Sequence, residues 1–150
     1  MALSEADVLL IHHPFFWYNT PPMVKQWIDL VLQHGWAYGS KGKALVGKGW
    51  FHTTTTGGKA EAYQPEGYNR FTIRQFLASY EQTSRLCGMH FYDPIVLHGT
   101  HRLDKQSIDD AAIRYREFLL ALTASDNNSD DHTALISANS PLNLEREPLR

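Results

Sequence analysis

An aromatic segment, residues 12–22 (His-His-Pro-Phe-Phe-Trp-Tyr-Asn-Thr-Pro-Pro), carries the side chains best suited to stacking on a flat ligand. It directly follows the apolar run at residues 8–11, which is typical of a buried strand. Because ligands of open α/β sheets bind outside the carboxyl ends of the strands, this segment is a candidate binding loop. Large aromatic side chains also fill protein cores, so core packing is the alternative. The aromatic side chains of this segment are the candidates for stacking on a ligand.

A second strand-to-loop transition follows about forty residues later, where a threonine run meets two glycines. Threonine favours extended backbone and offers a hydroxyl, while glycine lets backbone N–H groups approach a ligand closely. Such a loop suits a polar and flat ligand, although an ordinary turn has the same residue types. The candidate residues are Thr54, Thr55, Thr56, Gly57 and Gly58.

The elements that must position these loops alternate between strand and helix. At 150 residues, 43% of them hydrophobic, the chain can form one domain, which we assign to residues 1–122. The alternation predicts an α/β, doubly wound parallel sheet, with its first strand buried on both faces. Residues 123–150 are polar and aperiodic, which predicts a disordered tail. The predicted strands are Asp7–His13, Trp50–Thr56 and Pro94–His98, and the predicted helices are Pro22–Gln33, Thr72–Leu86 and Asp104–Leu122.

Composition argues against several other classes of protein. A net charge of −2 gives no electrostatic reason to bind nucleic acid or an anionic membrane. The single Cys87 excludes an internal disulfide and is expected to be a buried thiol. His98 and His101 are spaced like metal ligands, but no second Cys or helical His-Glu-x-x-His motif supports a metal site. With no signal peptide and no long apolar run, we expect a cytoplasmic protein that reaches the inner face of the membrane only through a protein partner.

The two loops and the segments between them resemble a known family. Between the loops lie Lys-Gln-Trp-Ile-Asp (residues 25–29) and His-Gly-Trp-Ala-Tyr-Gly (residues 34–39). In this order the motifs are similar to those of flavodoxin-like NAD(P)H:quinone oxidoreductases. The nearest branch is the ancillary proteins of the glutathione-gated potassium efflux systems. The resemblance covers residues 3–122.

The resemblance implies a sheet whose first strand in this chain corresponds to the family's third. We therefore expect an N-terminally incomplete flavodoxin-like domain, with two strands and the phosphate-binding loop encoded upstream of Met1. Without that loop, the flavin would keep its ring contacts and lose its phosphate contacts. The expectation is that this chain binds FMN weakly or not at all.

The chemistry implied by the resemblance is hydride transfer from NAD(P)H through FMN, or FAD, to a quinone. By this resemblance the isoalloxazine edge would be lined by Pro14, Phe15, Phe16 and Trp17. Hydroxyl and backbone donors to its polar end would come from Thr54, Thr55, Thr56, Gly57 and Gly58. Tyr63 would hydrogen-bond the substrate, and Asn69 stands where these reductases often carry a histidine. Because an amide supplies no titrating proton near neutral pH, Asn69 favours the alternative of a regulatory subunit of a potassium:proton antiporter.

The resemblance also implies a homodimer. In related enzymes the region around Trp36 and Tyr38 reaches across a two-fold axis to the neighbouring subunit's site. Together with Trp27, these side chains could anchor such an interface. Packing within one chain is the alternative.

Overall fold

The computed structural model describes residues 2–124. Its elements alternate between strands and helices, as expected for an α/β domain, and the doubly wound prediction is confirmed. The strands are β1 (Val8–Pro14), β2 (Gly49–Thr55), β3 (His90–Phe91) and β4 (Ile95–Leu97). The α-helices are α1 (Ala2–Glu5), α2 (Pro22–Val31), α3 (Ile73–Phe76), α4 (Ala78–Leu86) and α5 (Lys105–Ala124), and short 3₁₀ helices span Ala60–Tyr63 and Thr100–Arg102. The predicted tail, apart from helical residues 123 and 124, lies outside the described residues.

All strand pairings of the described sheet are parallel. β1 pairs with β2 along its whole length, from Val8 opposite Gly49 to Pro14 opposite Thr55. On the other side of β2, β3 pairs with its beginning and β4 with its end. Parallel strands end on the same side of a sheet, so Pro14 and Thr55 bring the two candidate loops to one edge.

Side chains of β2 alternate between two cores. Trp50 belongs to a core that includes Ile28 of α2 and Leu77 at the start of α4. Phe51 belongs to a second core with Tyr92 and with Phe118 of α5. We call these sides of the sheet the imidazole face, which carries Trp50, His52 and Thr54, and the α5 face, which carries Phe51 and Thr53. Helices therefore cover both faces of the sheet.

Three details of the predicted elements were wrong. The helix predicted over Thr72–Leu86 is broken at Leu77, whose φ of −93° and ψ of 11° are not helical, and α3 begins with a capping box between Thr72 and Gln75. β3 was not predicted. β1 was expected to be buried on both faces, but it lies at one edge of the described sheet and residues 8–11 are only half-buried.

None of the helices within residues 2–124 is long and apolar enough to cross a membrane. Trp36 and Tyr38 pack against the core of the imidazole face, while Trp27 on α2 remains 36% exposed.

Candidate functional site

The aromatic segment forms a tight turn immediately after β1. Phe16 and Asn19 exchange backbone hydrogen bonds of 2.8 and 3.0 Å, so that Trp17 and Tyr18 are the two central residues. Both have positive φ, 50° and 61°, a left-handed conformation that is costly for bulky side chains. Trp17 is 81% exposed. The turn therefore holds large aromatic side chains in solvent on strained backbone, a combination that is more typical of a functional site than of a structural loop.

The far end of this turn is bound to α4. Tyr80 is buried, and its hydroxyl donates to Asn19 Oδ1 at 2.9 Å. The Thr20 hydroxyl lies 2.5 Å from the Tyr80 oxygen, and the Asn19 Oδ1 atom also accepts from the Thr20 backbone N–H at 2.8 Å. These bonds fix residues 19 and 20, and with them the exit of the turn.

The threonine-glycine loop is ordered by its own side chains. The Thr56 hydroxyl donates to the Gly58 carbonyl at 2.8 Å, and His98 Nδ1 lies 2.9 Å from the same Thr56 oxygen. Neither Gly57 nor Gly58 donates its backbone N–H to a backbone carbonyl of the described residues. Both N–H groups are thus available as donors to a ligand.

Gly57 lies close to the side chain of His101, which is itself exposed. A Cβ atom added there would lie 2.7 Å from the imidazole of His101. The loop consequently packs its backbone directly against the segment after β4.

Tyr63 lies between the two loops. Its ring contacts Phe15 edge-on, with 5.8 Å between centroids, and its hydroxyl would lie 3.2 Å from a Cβ at Gly58. Burial raises the pKa of Tyr63, while hydrogen bonding with Thr56 and Asn69 opposes this shift. The phenol is therefore a protonated hydrogen-bond donor at neutral pH. His98 packs at a ring distance of 5.5 Å from Tyr63, and burial lowers its pKa.

A hydrogen-bonded pair of buried histidines lies beneath the ends of β1 and β2. His13 Nε2 is 2.9 Å from His52 Nδ1, and His52 Nε2 accepts from Trp50 Nε1 at 3.0 Å. The two histidines are 3% and 0% exposed. Burial lowers both pKa values, that of His52 to about 3, so both imidazoles are neutral at pH 7.

The predicted ligand contacts thus meet at one edge of the sheet, with differences among them. Phe16 and Trp17 are exposed, whereas Phe15 turns inward onto Tyr63 and Phe76. Thr54 is fully buried, so it supports the loop from below. The structure also brings Asn69 near Tyr63, since its side chain affects the pKa of the phenol. The ligand and catalytic roles of these residues stay predictions.

Sequence reasoning missed the histidine pair, the Tyr80 contact and the role of His98 in the loop. A signal existed for the first, because His52 alternates with Trp50 and Thr54 along β2 and shares their face. Its partner, His13, is 39 residues away and could be found only from the strand register.

These residues fit a flat, polar ring such as that of a flavin. The exposed aromatic turn offers stacking surface, and the glycine N–H groups offer donors without an intervening Cβ. Within residues 2–124, no group of three or more His, Cys, Asp or Glu side chains is arranged to hold a metal ion.

The sequence of this chain is similar to those of several known proteins. Residues 1–119 match the family model described as flavodoxin-like fold. General stress protein 14 of Bacillus subtilis (strain 168) is 39% identical over 77% of this chain and 66% of its own length. The glutathione-regulated potassium-efflux system ancillary protein KefG of Pectobacterium carotovorum is 38% identical over 78% of this chain and 64% of its own length. The chain thus spans just under two thirds of the length of these curated relatives.

Solved structures are similar over most of the chain. A crystal structure described as a thermophilic tryptophan halogenase from Streptomycin violaceusniger is 35% identical, with a TM-score of 0.75 over 77% of this chain and 67% of the other. General stress protein 14 of Treponema denticola in complex with FMN is 26% identical, with a TM-score of 0.67 over 94% and 69%. A quinone reductase structure from Klebsiella pneumoniae is 26% identical, with a TM-score of 0.70 over 85% and 57%. The chain belongs to the flavodoxin-like family that includes quinone reductases and the KefG proteins.

Proposed function

We propose that this chain is the ring-binding part of an FMN-dependent NAD(P)H:quinone oxidoreductase. The observation that carries the proposal is the meeting of the strained aromatic turn, the Thr56–Gly58 loop and Tyr63 at one edge of the sheet. A relative of known structure, general stress protein 14 of Treponema denticola, was solved in complex with FMN. We propose FMN rather than FAD on that ground.

In the proposed reaction FMN supplies the chemistry of hydride transfer, and the protein binds and orients the reactants. Phe16 and Trp17 would hold one edge of the ring. The backbone N–H groups of Gly57 and Gly58 would donate to its polar end and favour negative charge there. The Tyr63 hydroxyl, kept protonated by its raised pKa, donates a hydrogen bond to the substrate. Asn69 adds a second donor that does not titrate.

The test is a visible spectrum of the purified chain, alone and with FMN, followed by NADPH and a quinone in the same cuvette. We expect the flavin absorbance to bleach with NADPH and to return with quinone. A protein that takes up no flavin, or whose flavin absorbance NADPH does not bleach, would contradict the proposal.

A pair of aromatic substitutions makes the assignment specific to the turn. Trp17→Ala should weaken FMN binding about tenfold or more, since it removes a stacking surface. Tyr68→Ala is the matched control, because Tyr68 is 89% exposed and has no part in the proposed site. Equal FMN affinity of the two variants would reject the aromatic turn as the binding surface.

One observation favours a second function. Asn69 replaces the titrating side chain that these reductases often carry, and KefG proteins are among the relatives. The alternative is an ancillary subunit that binds a potassium efflux antiporter at the inner face of the membrane and has little reductase activity. Flavin binding without quinone turnover, together with copurification with such an antiporter, would support the alternative. Quinone turnover with no such association would reject it.

A homodimer belongs to the same proposal. Trp27 on α2 is 36% exposed and offers an aromatic anchor for a second copy, whereas Trp36 and Tyr38 pack against the core of their own chain. Sedimentation equilibrium of the wild-type chain and of Trp27→Ala tests it, and a monomer at all concentrations would exclude the dimer.

A further inference from the structure

We propose that the His13–His52 pair is a positioning element that, together with Tyr80, holds the aromatic turn in its left-handed conformation. The inference rests on the proposed flavin site, because it concerns how that site is kept ready for a ligand. Neither histidine touches the exposed aromatic side chains.

The hydrogen bonds of the pair form one directional chain. Trp50 Nε1–H donates to His52 Nε2 at 3.0 Å, so in a neutral imidazole the proton of His52 is on Nδ1. His52 Nδ1–H then donates to His13 Nε2 at 2.9 Å. His13 carries its proton on Nδ1 in turn and donates it to the Pro14 carbonyl at 3.0 Å. Every nitrogen of the two buried rings has a partner in this arrangement.

This chain ends at the entry of the aromatic turn. Pro14 directly precedes Phe15, whose N–H donates to the Thr55 carbonyl at 2.9 Å. The His13 bond to the Pro14 carbonyl therefore fixes the last peptide before the turn from the imidazole face. The Thr54 hydroxyl, 3.4 Å from His13 Nδ1, flanks the same contact.

The same pair also supports the exit of the turn. The His52 ring packs edge-on against Tyr80 with 5.0 Å between centroids. Tyr80 in turn holds Asn19 through its hydroxyl. Entry and exit are thus both connected to His52, one by hydrogen bonds and the other by ring packing.

The turn needs such support because its backbone is strained. Positive φ is unfavourable for the two non-glycine residues Trp17 and Tyr18, and such strain persists only when the surroundings impose it. Binding to a turn that is already in place avoids the free energy of ordering it on association. Loss of the supporting pair should therefore lower ligand affinity through disorder of the turn.

No described carboxylate is close enough to His13 or His52 to be a cause of their pKa shifts. Besides burial, the causes are the Pro14 hydrogen bond and His12 for His13, and His13 itself for His52. Trp50, Tyr80 and Phe91 surround the His52 ring. The surroundings therefore favour neutral imidazoles, as the hydrogen-bond chain requires.

The test compares three variants. His52→Leu removes both hydrogen bonds at similar size, and His52→Gln keeps one donor and one acceptor. Phe118→Leu is the control, because it disturbs a fully buried side chain in the α5-face core, away from the turn. Two readouts are taken for each variant: the hydrogen-exchange rates of the Phe16 and Asn19 amides, which close the turn, and the dissociation constant for FMN.

In His52→Leu we expect amide exchange at Phe16 and Asn19 to accelerate about tenfold more than in Phe118→Leu, and FMN affinity to fall about tenfold. His52→Gln should recover most of both losses. If the amides of His52→Leu stay as protected as those of Phe118→Leu, the positioning role is wrong, whether or not the chain binds FMN.

Absence of FMN binding by the wild-type chain would instead reject the proposed function, and the exchange readout would still decide the inference. Should His52→Leu fail to fold, His13→Leu, which removes the hydrogen bonds to His52 and to the Pro14 carbonyl, replaces it with the same two readouts. Unchanged protection of the turn in that variant would equally overturn the proposal.

Discussion

The two faces of the central sheet are built on different chemistry. On the α5 face, Phe51 stacks on Tyr92 with 4.4 Å between ring centroids and contacts Phe118 edge-on at 5.7 Å. On the imidazole face, His52 occupies the next position of the same strand and is hydrogen-bonded on both sides. One strand thus contributes an apolar core to each layer, and on the imidazole face it adds a chain of buried hydrogen bonds.

Because of this difference, we expect the α5 face to contribute mainly to the stability of the fold and the hydrogen bonds of the imidazole face to determine the geometry of the site. Apolar burial is non-directional and roughly proportional to area, so the α5 face can stabilise the fold without fixing the orientation of any loop. Hydrogen bonds are directional and costly when broken in a buried place, so the imidazole face can specify the conformation of the turn. Substitutions on the two faces should therefore have different consequences.

The largest effect is expected from the α5 face. Phe118→Ala empties a fully buried ring position and should lower the free energy of unfolding by about 3–5 kcal/mol. Urea denaturation followed by circular dichroism measures it. The Phe16 and Asn19 amides of the turn should lose protection against hydrogen exchange only to the extent that the whole domain does. Selective loss of protection at Phe16 and Asn19 would show that the two faces are not separable.

Acid should act mainly on the imidazole face. The pKa of His52 falls from 6.5 to about 3 on folding, so the unfolded chain binds this proton more readily. The contribution of neutral His52 to the free energy of unfolding is therefore fully present above about pH 6.5 and is lost as the pH falls. The loss between pH 7 and pH 5 is about 2 kcal/mol. Denaturation curves of the wild type and His52→Gln measure it.

His52→Gln serves as the control for the pH dependence of stability. His13 and His98 shift in the same direction and remain in His52→Gln, so its stability should still fall with acid, only less steeply. The hydrogen bond from Arg74 is the main cause that lowers the pKa of Glu81 from its ordinary value of 4.5. Protonation of Glu81 therefore reduces the free energy of unfolding only at a lower pH than protonation of the histidines. Identical slopes for the two proteins above pH 5 would contradict a buried neutral His52.

A smaller effect is expected where the imidazole face meets the turn. Tyr80→Phe removes one hydroxyl and leaves Asn19 Oδ1 and the Thr20 hydroxyl without that partner. The expected loss of stability is about 1–2 kcal/mol, since the buried Thr20 hydroxyl loses a hydrogen-bond partner while the ring packing remains. A thermal melt measures the loss, and His52→Gln in the same scan shows whether the effects share one network.

The smallest effect is expected on the outer surface of α2. Lys25 and Asp29 form an exposed ion pair at 2.5 Å, with side chains 64% and 58% exposed. Lys25→Ala should change stability by no more than about 0.5 kcal/mol, because solvent screens such pairs. Urea denaturation at low and high salt checks this, and a loss as large as that of Tyr80→Phe would mean that the pair supports the fold.

Much of the fold could be predicted from local patterns. The apolar run before His12 and the threonine run after Trp50 predicted β1 and β2, and Pro22 predicted the start of α2. The break at Leu77 had no local signal, because Leu77 is an apolar residue on the expected face and its non-helical backbone follows from packing. β3 is two residues long, which is too short to produce a periodic pattern.

The candidate site also has parts that local sequence predicts and parts that it does not. Its loops could be predicted because each lies at the end of a strand and has a distinctive composition. The histidine pair could not, because it depends on the register that brings His13 beside His52. That register follows from the parallel pairing of β1 with β2, a non-local property that no window of sequence contains.

The close approach at Gly57 has an evolutionary consequence. Since the exposed His101 imidazole lies next to its Cα, a side chain at position 57 would displace that ring, which couples two positions that are far apart in the chain. Homologous sequences that carry a side chain at 57 should therefore carry a residue smaller than histidine at 101 more often than those with glycine at 57. Covariation of positions 57 and 101 in an alignment of the family would show that the contact between this loop and the segment after β4 is shared by its members.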